Sequence, residues 1–528
     1  MIVETSSGRV RGRTDANGLC CFLGIPYAEP PVGALRFRPP VPVTPWQDIR
    51  DASAFGAASA QVFDPLEARI EDLVGEPSDI QPVCVGSEDS LTLNVWTPGT
   101  DDARRPVIIY IHGGANWLES SRVPVYHGDR FAARGDIVFA SLNYRLGFFG
   151  FLDVGVLDPA YAGSHINGLH DQALALRWLK DNIAAFGGDP DNITVMGESA
   201  GSVDTSWLLA SGALDGIARR AVLMSGVNTV SAVPRRHADD SRESARLAGE
   251  LLGRAGIASM DQLLALSTEE VLARHADLLG SYHMLSIDSW FYPRLDAVTL
   301  TRSPYDWAAS ADSAAIDVMI GTTAYEMGLW LLWDDILDQR PFAETINFLG
   351  PLADDAAAAL TETYRRAFPD ASEGVRGMQL LSDAVFVMPS VLLAERRAMA
   401  GARTWFYQFA WEIPDSPMAA AHATDLPFAF DKMDATQSRD LFTPPCPADE
   451  EARRQKLAFA FQDAIIAFAR HGDPNRDGSG DLPHWPAYEV NQRAVLRLDE
   501  ESCVLDDPYG ARSAVWLPLL EAELQKGS

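Results

Sequence analysis

Short apolar runs that end in glycine or a polar residue recur along this chain, and they constrain its fold more than any other feature. VIIYI in RPVIIYIHGG is followed in order by DIVFASLNY, NITVMGES, RAVLMSG, DVMIGTT and RTWFYQFAW. Near-continuous apolar runs of this length are typical of strands that a sheet buries on both faces. Helical patterns such as HDQALALRWLKDNIAAF and SARLAGELLGRAG lie between them. The alternation predicts an α/β fold with a large, mostly parallel central sheet flanked by helices.

The start of the chain has a different pattern. Roughly the first hundred residues are rich in turns and prolines, and they predict a small antiparallel N-terminal subsheet with loops. In open parallel sheets, ligands bind beyond the carboxyl ends of the strands. We therefore expect the chemistry of this protein in the loops that follow the apolar runs.

The length of 528 residues would by itself suggest several domains. No Gly/Ser-rich or Pro-rich linker separates two regions of different composition, however, and no repeat period is present. The sequence therefore predicts one domain over residues 1–528, with long helical insertions.

Charge and cysteine usage exclude several classes of protein. The 43 basic and 73 acidic residues give a net charge of −30, which repels phosphate backbones, so we expect no nucleic acid partner. No stretch of 18 residues reads as continuously apolar, so we expect no membrane-spanning helix. The start, MIVETSSGRVRGR, lacks the apolar core of a signal peptide, which predicts a cytoplasmic protein. The few scattered cysteines show neither metal spacing nor a disulfide framework: Cys20, Cys21, Cys84, Cys446 and Cys503.

The hexapeptide GESAGS, Gly197 to Ser202, is the first candidate for chemistry. A small-residue turn between a strand and a helix would explain it without any chemistry. Its context is more specific, because NITVM reads as a strand and SVDTSWLLASG as the start of a helix. A nucleophile elbow requires this strand–turn–helix order, with the serine in a strained turn and glycines that allow close packing. Ser199 is therefore predicted to be a nucleophile.

An acyl-transfer serine also needs N–H donors for the oxyanion. HGGAN, His112 to Asn116, follows the apolar run VIIYI and has small residues whose N–H groups are accessible. Read alone, HGGAN is only a glycine-rich turn. Together with GESAG, it predicts an oxyanion hole made by the N–H groups of Gly114, Ala115 and Ala200.

The serine needs a histidine base that is held by a carboxylate. In nucleophile-elbow enzymes the chain order is serine, acid, histidine, and three histidines lie far enough downstream. His422 is in AHATDLPFAF, shortly after the strand RTWFYQFAW, whereas His471 and His484 are in turn-rich polar segments. We therefore favour His422 as the base.

The acid is chosen by the same reasoning. Glu326 follows the apolar run DVMIG in GTTAYEM, while Asp296 and Asp335 have no comparable place after a strand. Glu326 is therefore the predicted acid.

Beyond these residues, the chain resembles the type-B carboxylesterase (cholinesterase-like) family of α/β-hydrolases over nearly its whole length. The segments that carry the resemblance are FLGIPYAEPPVGALRFRPP, SEDSLTLNVWTP, NYRLGFFGFL, the long NGLHDQALALRWLKDNIAAFGGDPDNITVMGESAGS, GTTAYE, AHATDLPF, GDPN and HWPAY. The run FGGDPDNITVMGESAGS is highly specific. Similarity to bacterial cytosolic members of the family implies the α/β-hydrolase fold, with the helical insertions forming a gorge.

The resemblance implies the same triad of Ser199, Glu326 and His422 and the same three oxyanion donors, with no metal or cofactor. It further suggests a buried polar cluster that supports the histidine loop, made of Glu198, Ser225 and Asp425; ordinary helix and turn support is an equal alternative for these residues. Two buried ion pairs, Arg36 with Glu88 and Arg145 with Asp171, look like architectural pairs of the family.

The departures from the family pattern concern the disulfide and the substrate pocket. The usual EDC reads EDS at Ser90, so the loop disulfide of secreted relatives is absent, in keeping with a cytosolic home. The usual GGGF reads GGAN, so Ala115 carries a methyl near the acyl carbon, and Asn116 puts a polar amide where an aromatic is usual. The resemblance to GGA variants implies that esters of hindered tertiary alcohols are candidate substrates. The expected pocket residues are Asn116, Trp117, Trp290, Phe291 and Trp330, although aromatic stripes more often belong to a core.

Taken together, the sequence predicts a serine carboxylesterase that acts on a small-molecule ester, as a monomer or homodimer and without a membrane partner. Three alternatives stay open. The same residues could cleave amides or carbamates, a non-catalytic adhesion module of the same family would lack the serine, and a choline esterase would need an aromatic cation site.

Overall fold

The structure is a computed structural model that describes residues 1–62, 84–227, 241–279, 291–296, 298–332, 334–350, 352–476 and 481–526. The strands in these ranges are β1 Ile2–Thr5, β2 Gly8–Arg11, β3 Arg13–Thr14, β4 Cys20–Pro26, β5 Ile49–Asp51, β6 Gln61–Val62, β7 Cys84–Val85, β8 Thr92–Thr97, β9 Arg105–Ile111, β10 Val138–Leu142, β11 Gly188–Glu198, β12 Arg220–Met224, β13 Asp317–Thr323, β14 Thr404–Phe409, β15 Ala494–Leu498 and β16 Cys503–Asp506.

Eleven of these strands form one mixed sheet in the order β16-β15-β14-β13-β12-β11-β9-β10-β8-β4-β3. The seven strands from β15 to β10 run parallel to one another, and antiparallel strands complete both edges. All six apolar runs of the sequence lie in the parallel part, as predicted. The separate N-terminal sheet differs in one respect from the antiparallel subsheet that we expected, because β1 pairs antiparallel with β2 but β2 pairs parallel with β5.

The strand order reverses between β9 and β11. The strand that follows β9 in the chain, β10, pairs on one side of β9, whereas β11 pairs on the other side. Such a switch point opens a crevice at the carboxyl ends of the two strands, where ligands bind in α/β sheets. The loops His112–Asn116 and Ser199–Ala200 begin at this crevice, because they directly follow β9 and β11.

Alternation of side chains explains why the parallel strands are apolar throughout. In β9, Val107, Ile109 and Ile111 pack into one hydrophobic cluster, while Ile108 and Tyr110 pack into a second cluster. Successive side chains of a strand point to opposite faces, so a sheet with helices on both faces needs apolar residues at every position. The core is therefore two layers of side chains, one on each face of the sheet.

The helices cover the sheet and form two long insertions, between β12 and β13 and between β13 and β14. Their bounds are Asp129–Gly135, Gly147–Phe151, Asn167–Asn182, Ala200–Ala210, Ser241–Arg254, Met260–Ala265, Thr268–Leu279, Pro304–Ala308, Phe342–Asn347, Asp354–Ala367, Glu373–Ser382, Met388–Met399, Leu426–Ala429, Thr436–Leu441, Ala448–His471 and Gly510–Lys526. A π-helical turn spans Asp383–Val387, and 3₁₀ turns include Ile183–Phe186 and Glu326–Leu332.

The helical segment Glu373–Met399 bears on one prediction. It contains an 18-residue window with a mean hydropathy of 1.5, so by length and composition it could cross a membrane, which a search for continuously apolar runs does not detect. Within the protein, 89% of this window is buried. The core helix of a globular protein has the same two features, because all of its faces contact other parts of the protein.

The two predicted ion pairs are present and lie in the interior. Arg145 binds both carboxylate oxygens of Asp171, with Nε and Nη2 at 2.8 and 2.7 Å, and the two side chains are 3% and 0% exposed. Arg36 binds Glu88 in the same two-pronged way, with its Nε at 2.8 Å from Oε2. A charge left alone at such a depth is unfavourable, so each pair acts as a unit.

We expect the substitution Arg145→Met to lower the free energy of unfolding by about 3–5 kcal/mol, because it leaves the Asp171 carboxylate buried without its cation. Arg104 offers a matched control, since it pairs with Asp189 but its side chain is 58% exposed. Arg104→Met should change stability by less than about 1 kcal/mol. Urea unfolding curves of the two variants measure this contrast, and equal losses would contradict it.

Candidate active site

The backbone at Ser199 has a strained conformation. Its φ is 52° and its ψ is −122°, a region that residues with a Cβ rarely adopt. The Ser199 N–H donates to the Met224 carbonyl at 2.9 Å, which ties the turn to the neighbouring strand β12. Ser199 is half-buried, while the residues on either side of it are buried. The turn therefore leaves Ser199 partly accessible to solvent, whereas Glu198 and Ala200 are buried.

The glycines at both sides of the serine are required by close backbone packing. A Cβ at Gly197 would lie 2.3 Å from the carbonyl oxygen of Gly201, and one at Gly201 would lie 2.1 Å from that of Ile111. These distances are shorter than van der Waals contact. The turn thus brings the helix Ala200–Ala210 directly against the end of β9, as a nucleophile elbow requires.

The loop His112–Asn116 lies against this turn. A Cβ at Gly113 would be 3.1 Å from Ser199 Cβ and 2.8 Å from Glu198 Oε2. Gly114, Ala115 and Asn116 have successive positive φ values of 88°, 49° and 62°. Non-glycine residues rarely have positive φ values, so the loop has an unusual and tightly turned backbone at this place.

Backbone N–H groups are available at this place. Within the described ranges, the N–H groups of Gly114, Ala115 and Ala200 donate to no protein acceptor. Ala200 is the first residue of its helix, where an N–H has no intrahelical partner and the helix dipole favours a negative charge.

His422 and Glu326 are in direct contact. Nδ1 of His422 lies 2.7 Å from Oε2 of Glu326, and the backbone N–H of His422 donates to the Glu326 carbonyl at 3.1 Å. Glu326 is fully buried, and its second oxygen accepts hydrogen bonds from Ser225 Oγ at 2.8 Å and from the Thr323 N–H at 2.7 Å. The carboxylate therefore has donors on both oxygens, which fixes its orientation toward the ring.

The other ring nitrogen of His422 faces Glu198. Nε2 lies 3.2 Å from Glu198 Oε1, and Glu198 directly precedes Ser199. No hydrogen bond joins the Ser199 hydroxyl to the ring in the part of the chain that the structure describes. Catalytic hydrogen bonds are often long in structures without substrate, so this geometry leaves the serine and the histidine as candidate partners.

Burial and nearby carboxylates compete at His422. Burial lowers the pKa of the imidazole, but the charges of Glu198 and Glu326 outweigh this effect and raise the pKa to about 9. Burial also raises the pKa of Glu198 to about 8. The carboxylates on either side of the ring therefore favour its protonated form.

The supporting residues surround the pair but do not form a single cluster. Ser225 contacts Glu326, and Glu198 contacts His422, as described above. Asp425 instead accepts a hydrogen bond from the Tyr407 hydroxyl at 2.8 Å, and its other oxygen is buried without a partner in the described structure. Burial raises the pKa of Asp425 to about 7.

Three of the five expected pocket residues lie inside the protein. Asn116, Trp117 and Phe291 are 0%, 1% and 0% exposed, so their side chains belong to the core behind the loop. Trp290 lies outside the described residues. Trp330 is half-buried, and its ring centre is 5.4 Å from that of His422.

Sequence reasoning missed Phe386. Its ring centre is 4.7 Å from that of His422 and 5.7 Å from that of Trp330. Phe386 lies in the π-helical turn Asp383–Val387, and such turns are frequent at functional sites. No local motif marks a π-helical turn in a sequence, so only the structure places this ring beside the histidine.

The sheet with its switch point, the elbow after β11 and the imidazole–carboxylate pair at the carboxyl edge define an α/β hydrolase. The chain belongs to the carboxylesterase family, whose sequence profile matches residues 1–516. It is accordingly a carboxylic ester hydrolase.

Individual relatives match over almost the whole chain. The para-nitrobenzyl esterase of Bacillus subtilis is 34% identical over 522 residues, which are 98% of each chain. The phenmedipham hydrolase of Pseudarthrobacter oxydans is 32% identical over 95% of each chain. Among solved structures, the carboxylesterase EST55 of Geobacillus stearothermophilus at pH 6.2 is similar with a TM-score of 0.83 and 34% identity, over 98% of this chain and 99% of that one.

Replacing Glu198 with glutamine is expected to lower the pKa of His422 from about 9 toward its ordinary value, because the variant lacks a negative charge beside Nε2. Proton NMR of the downfield Nδ1–H resonance against pH measures the change. Asp425→Asn is the control and should give a smaller decrease, because Asp425 binds Tyr407 rather than the ring. An unchanged or raised pKa in Glu198→Gln would contradict this electrostatic description.

Proposed function

We propose that this protein hydrolyses carboxylic esters through an acyl-enzyme on Ser199, with His422 as the base and Glu326 as the acid of a Ser-His-Glu triad. The observation that carries the proposal is the 2.7 Å contact between His422 Nδ1 and Glu326 Oε2 beside the strained serine turn. A carboxylate on Nδ1 holds the ring in the tautomer whose Nε2 can accept a proton.

In the acylation step, Ser199 Oγ attacks the ester carbonyl carbon and its proton passes to His422 Nε2. The tetrahedral intermediate then breaks its bond to the alcohol oxygen, and the imidazolium gives its proton to the departing alkoxide. The buried Glu326 carboxylate stabilises the imidazolium while it exists. The acyl group remains on Ser199 as an ester.

Deacylation repeats these steps with water. His422 takes a proton from a water molecule, the hydroxide attacks the acyl carbonyl, and the collapse of the intermediate returns that proton to Ser199 Oγ. The products are the carboxylic acid and the free enzyme. Every proton is carried by His422, so the reaction needs no metal or cofactor.

The N–H groups of Gly114, Ala115 and Ala200 would hold the negative oxygen of both intermediates. Their lack of protein acceptors and the left-handed backbone of the loop support this role. Preorganised donors of this kind need no rearrangement when the charge develops, and the loss of one typically costs about 10²–10³ in turnover.

Glu198 sets the protonation of the base in this scheme. Its contact with Nε2 competes with the serine for the ring, so binding of substrate must turn Nε2 from Glu198 to Ser199. We infer that Trp330 and Phe386 limit this movement and line the site, because both rings contact the face of His422. Asn116, Trp117 and Phe291 are not assigned to the pocket, because they are buried behind it.

The organisation of the whole chain is also part of the proposal. A single domain over residues 1–528 is supported by the large sheet, which contains β3 near one end of the chain and β16 near the other.

Cytoplasmic location, a monomeric or homodimeric state, and the absence of nucleic acid and membrane partners remain predictions from the sequence. The two-pronged ion pair of Arg36 with Glu88 joins the N-terminal loops that carry these residues, and Arg145 Nη1 donates to the Arg38 carbonyl at 2.7 Å.

Ser199→Ala is expected to lower kcat for p-nitrophenyl acetate by roughly 10⁶-fold, because no other group of the elbow can form the acyl-enzyme. Ser211→Ala, at the other end of the same helix, serves as the control and should keep wild-type kinetics. Steady-state assays of both variants decide the matter. Turnover near the wild-type level in Ser199→Ala would remove the proposed nucleophile.

A substrate panel tests the reaction class. We expect a p-nitrophenyl ester to be cleaved with a much higher kcat/KM than the anilide with the same acyl group, because the phenolate is the better leaving group. Esters of graded acyl length and one tert-butyl ester extend the panel, and the GGA sequence predicts measurable hydrolysis of the tertiary ester. Equal rates on ester and anilide would favour the amidase alternative instead.

A further inference from the structure

The loop His112–Asn116, called the oxyanion loop below, has a backbone conformation that is energetically unfavourable. Ala115 and Asn116 both have a Cβ and both have positive φ values. Such a conformation is unfavourable for residues with a Cβ and persists only where the surrounding structure enforces it. Something must therefore hold the loop in place, and the side chain of Asn116 is the nearest candidate.

The Asn116 amide is hydrogen-bonded at both ends. Its Nδ2 donates to Asp204 Oδ1 and to the Phe291 carbonyl, each at 3.1 Å, and its Oδ1 lies 3.2 Å from the hydroxyl of Tyr144. The opposite orientation of the amide would place its oxygen against two acceptors, so the geometry determines the orientation. With both N–H groups used and no exposed surface, this amide has no donor left for a substrate.

The partner Asp204 belongs to the nucleophile helix Ala200–Ala210. It is fully buried, and its second oxygen accepts a hydrogen bond from Gln172 Nε2 at 2.5 Å. Burial raises the pKa of Asp204 to about 7, and the hydrogen bonds from Gln172 and Asn116 act in the opposite direction. The contact with Asn116 therefore links the oxyanion loop to the helix that carries Ala200.

Tyr144 completes the network on the other side of the loop. Its single hydroxyl proton has two acceptors, Asn116 Oδ1 at 3.2 Å and the carbonyl oxygen of His112 at 2.9 Å. The Tyr144 ring also stacks on His112, the first residue of the loop, with 4.6 Å between the ring centres. The carbonyl of Asn116 itself accepts the Gly147 N–H at 2.7 Å. Both the start and the end of the loop are thereby held by fully buried groups.

We propose that Asn116 is a positioning residue, whose amide fixes the N–H donors of Gly114 and Ala115 relative to the N–H donor of Ala200 by binding Asp204. The proposal rests on the function proposed above, since it assumes that these three donors act on one oxyanion. It replaces our expectation that Asn116 contacts the substrate. Asn116 acts through the loop, and it touches neither substrate nor reacting atoms.

A double-mutant cycle of Asn116→Ala and Asp204→Ala tests the link. Each single variant is expected to lower kcat for p-nitrophenyl acetate by about 10- to 100-fold while KM changes little, because misaligned donors stabilise the transition state less than they do in the wild-type enzyme. The double variant should be no slower than the slower single variant, because both substitutions break the same contact. Alanine at position 116, where φ is positive, adds the same backbone strain to Asn116→Ala and to the double variant. This strain therefore cancels when the cycle is evaluated.

The inhibition constant of a trifluoromethyl ketone tests the oxyanion donors separately from the stability of the protein. Ser199 Oγ adds to the carbonyl carbon of the ketone, the serine proton passes to His422, and the resulting oxyanion occupies the same donors as the reaction intermediate. Its inhibition constant should rise in each single variant by the same factor by which kcat/KM falls. The control Asn182→Ala removes a buried amide with similar bonds, two to Ser6 and one to Trp178, and should leave both kcat and inhibition unchanged.

Two conservative variants keep the test decisive if the alanine variants fail to fold. Asp204→Asn retains an acceptor for Asn116, and Gln172 can turn its amide so that Oε1, which has no partner among the described residues, accepts from the new amide; most of kcat should therefore remain. Asn116→Asp places two carboxyl groups in contact and should give the largest loss. Wild-type kcat in the Asn116 variants, or losses that multiply in the double variant, would overturn the proposal, while Ser199→Ala separately decides the proposed function.

Discussion

The strained backbone of Ser199 is the constraint on which the rest of the site depends. Its conformation is maintained by the glycines at 197 and 201, whose backbones touch each other and the end of β9 without room for a methyl group. The strand, the turn and the helix meet closely there, and the loop His112–Asn116 after β9 packs against the turn. Backbone contacts thereby bring the serine and the first N–H of the helix next to this loop, and the side-chain contact of Asn116 with Asp204 also joins the loop to the helix.

The histidine is held by a different kind of force. Its ring lies in a buried space with a carboxylate at each nitrogen, Glu326 at Nδ1 and Glu198 at Nε2. Glu326 has donors on both oxygens and so cannot turn away, whereas Glu198 has no hydrogen bond to Oε1 in the described structure. The ring is therefore firmly anchored at Nδ1, whereas at Nε2 it has only the 3.2 Å contact with Glu198.

Much of this arrangement could be predicted from the sequence, because local patterns determine it. Apolar runs predicted the parallel strands, and the places of serine, glutamate and histidine after β11, β13 and β14 put those three residues at one edge of the sheet. The orientation of individual side chains could not be predicted in the same way. Asn116 is the last residue of the loop His112–Asn116, so its position suggested a pocket residue, but its amide is buried and contacts Asp204 and Tyr144, which are distant in sequence. Phe386 was missed for a related reason, since its place beside His422 depends on a π-helical turn without a local sequence signal.

The order of strands in the sheet has a consequence for how the chain is made. From β11 outward, β12, β13, β14, β15 and β16 add to the sheet in the order in which the ribosome delivers them. Each strand that is added leaves its outer N–H and C=O groups open to pairing with another nascent chain until the next strand covers them. The loop that carries His422 follows β14. A chain whose translation stops before this loop would therefore expose an unpaired sheet edge and would also lack His422.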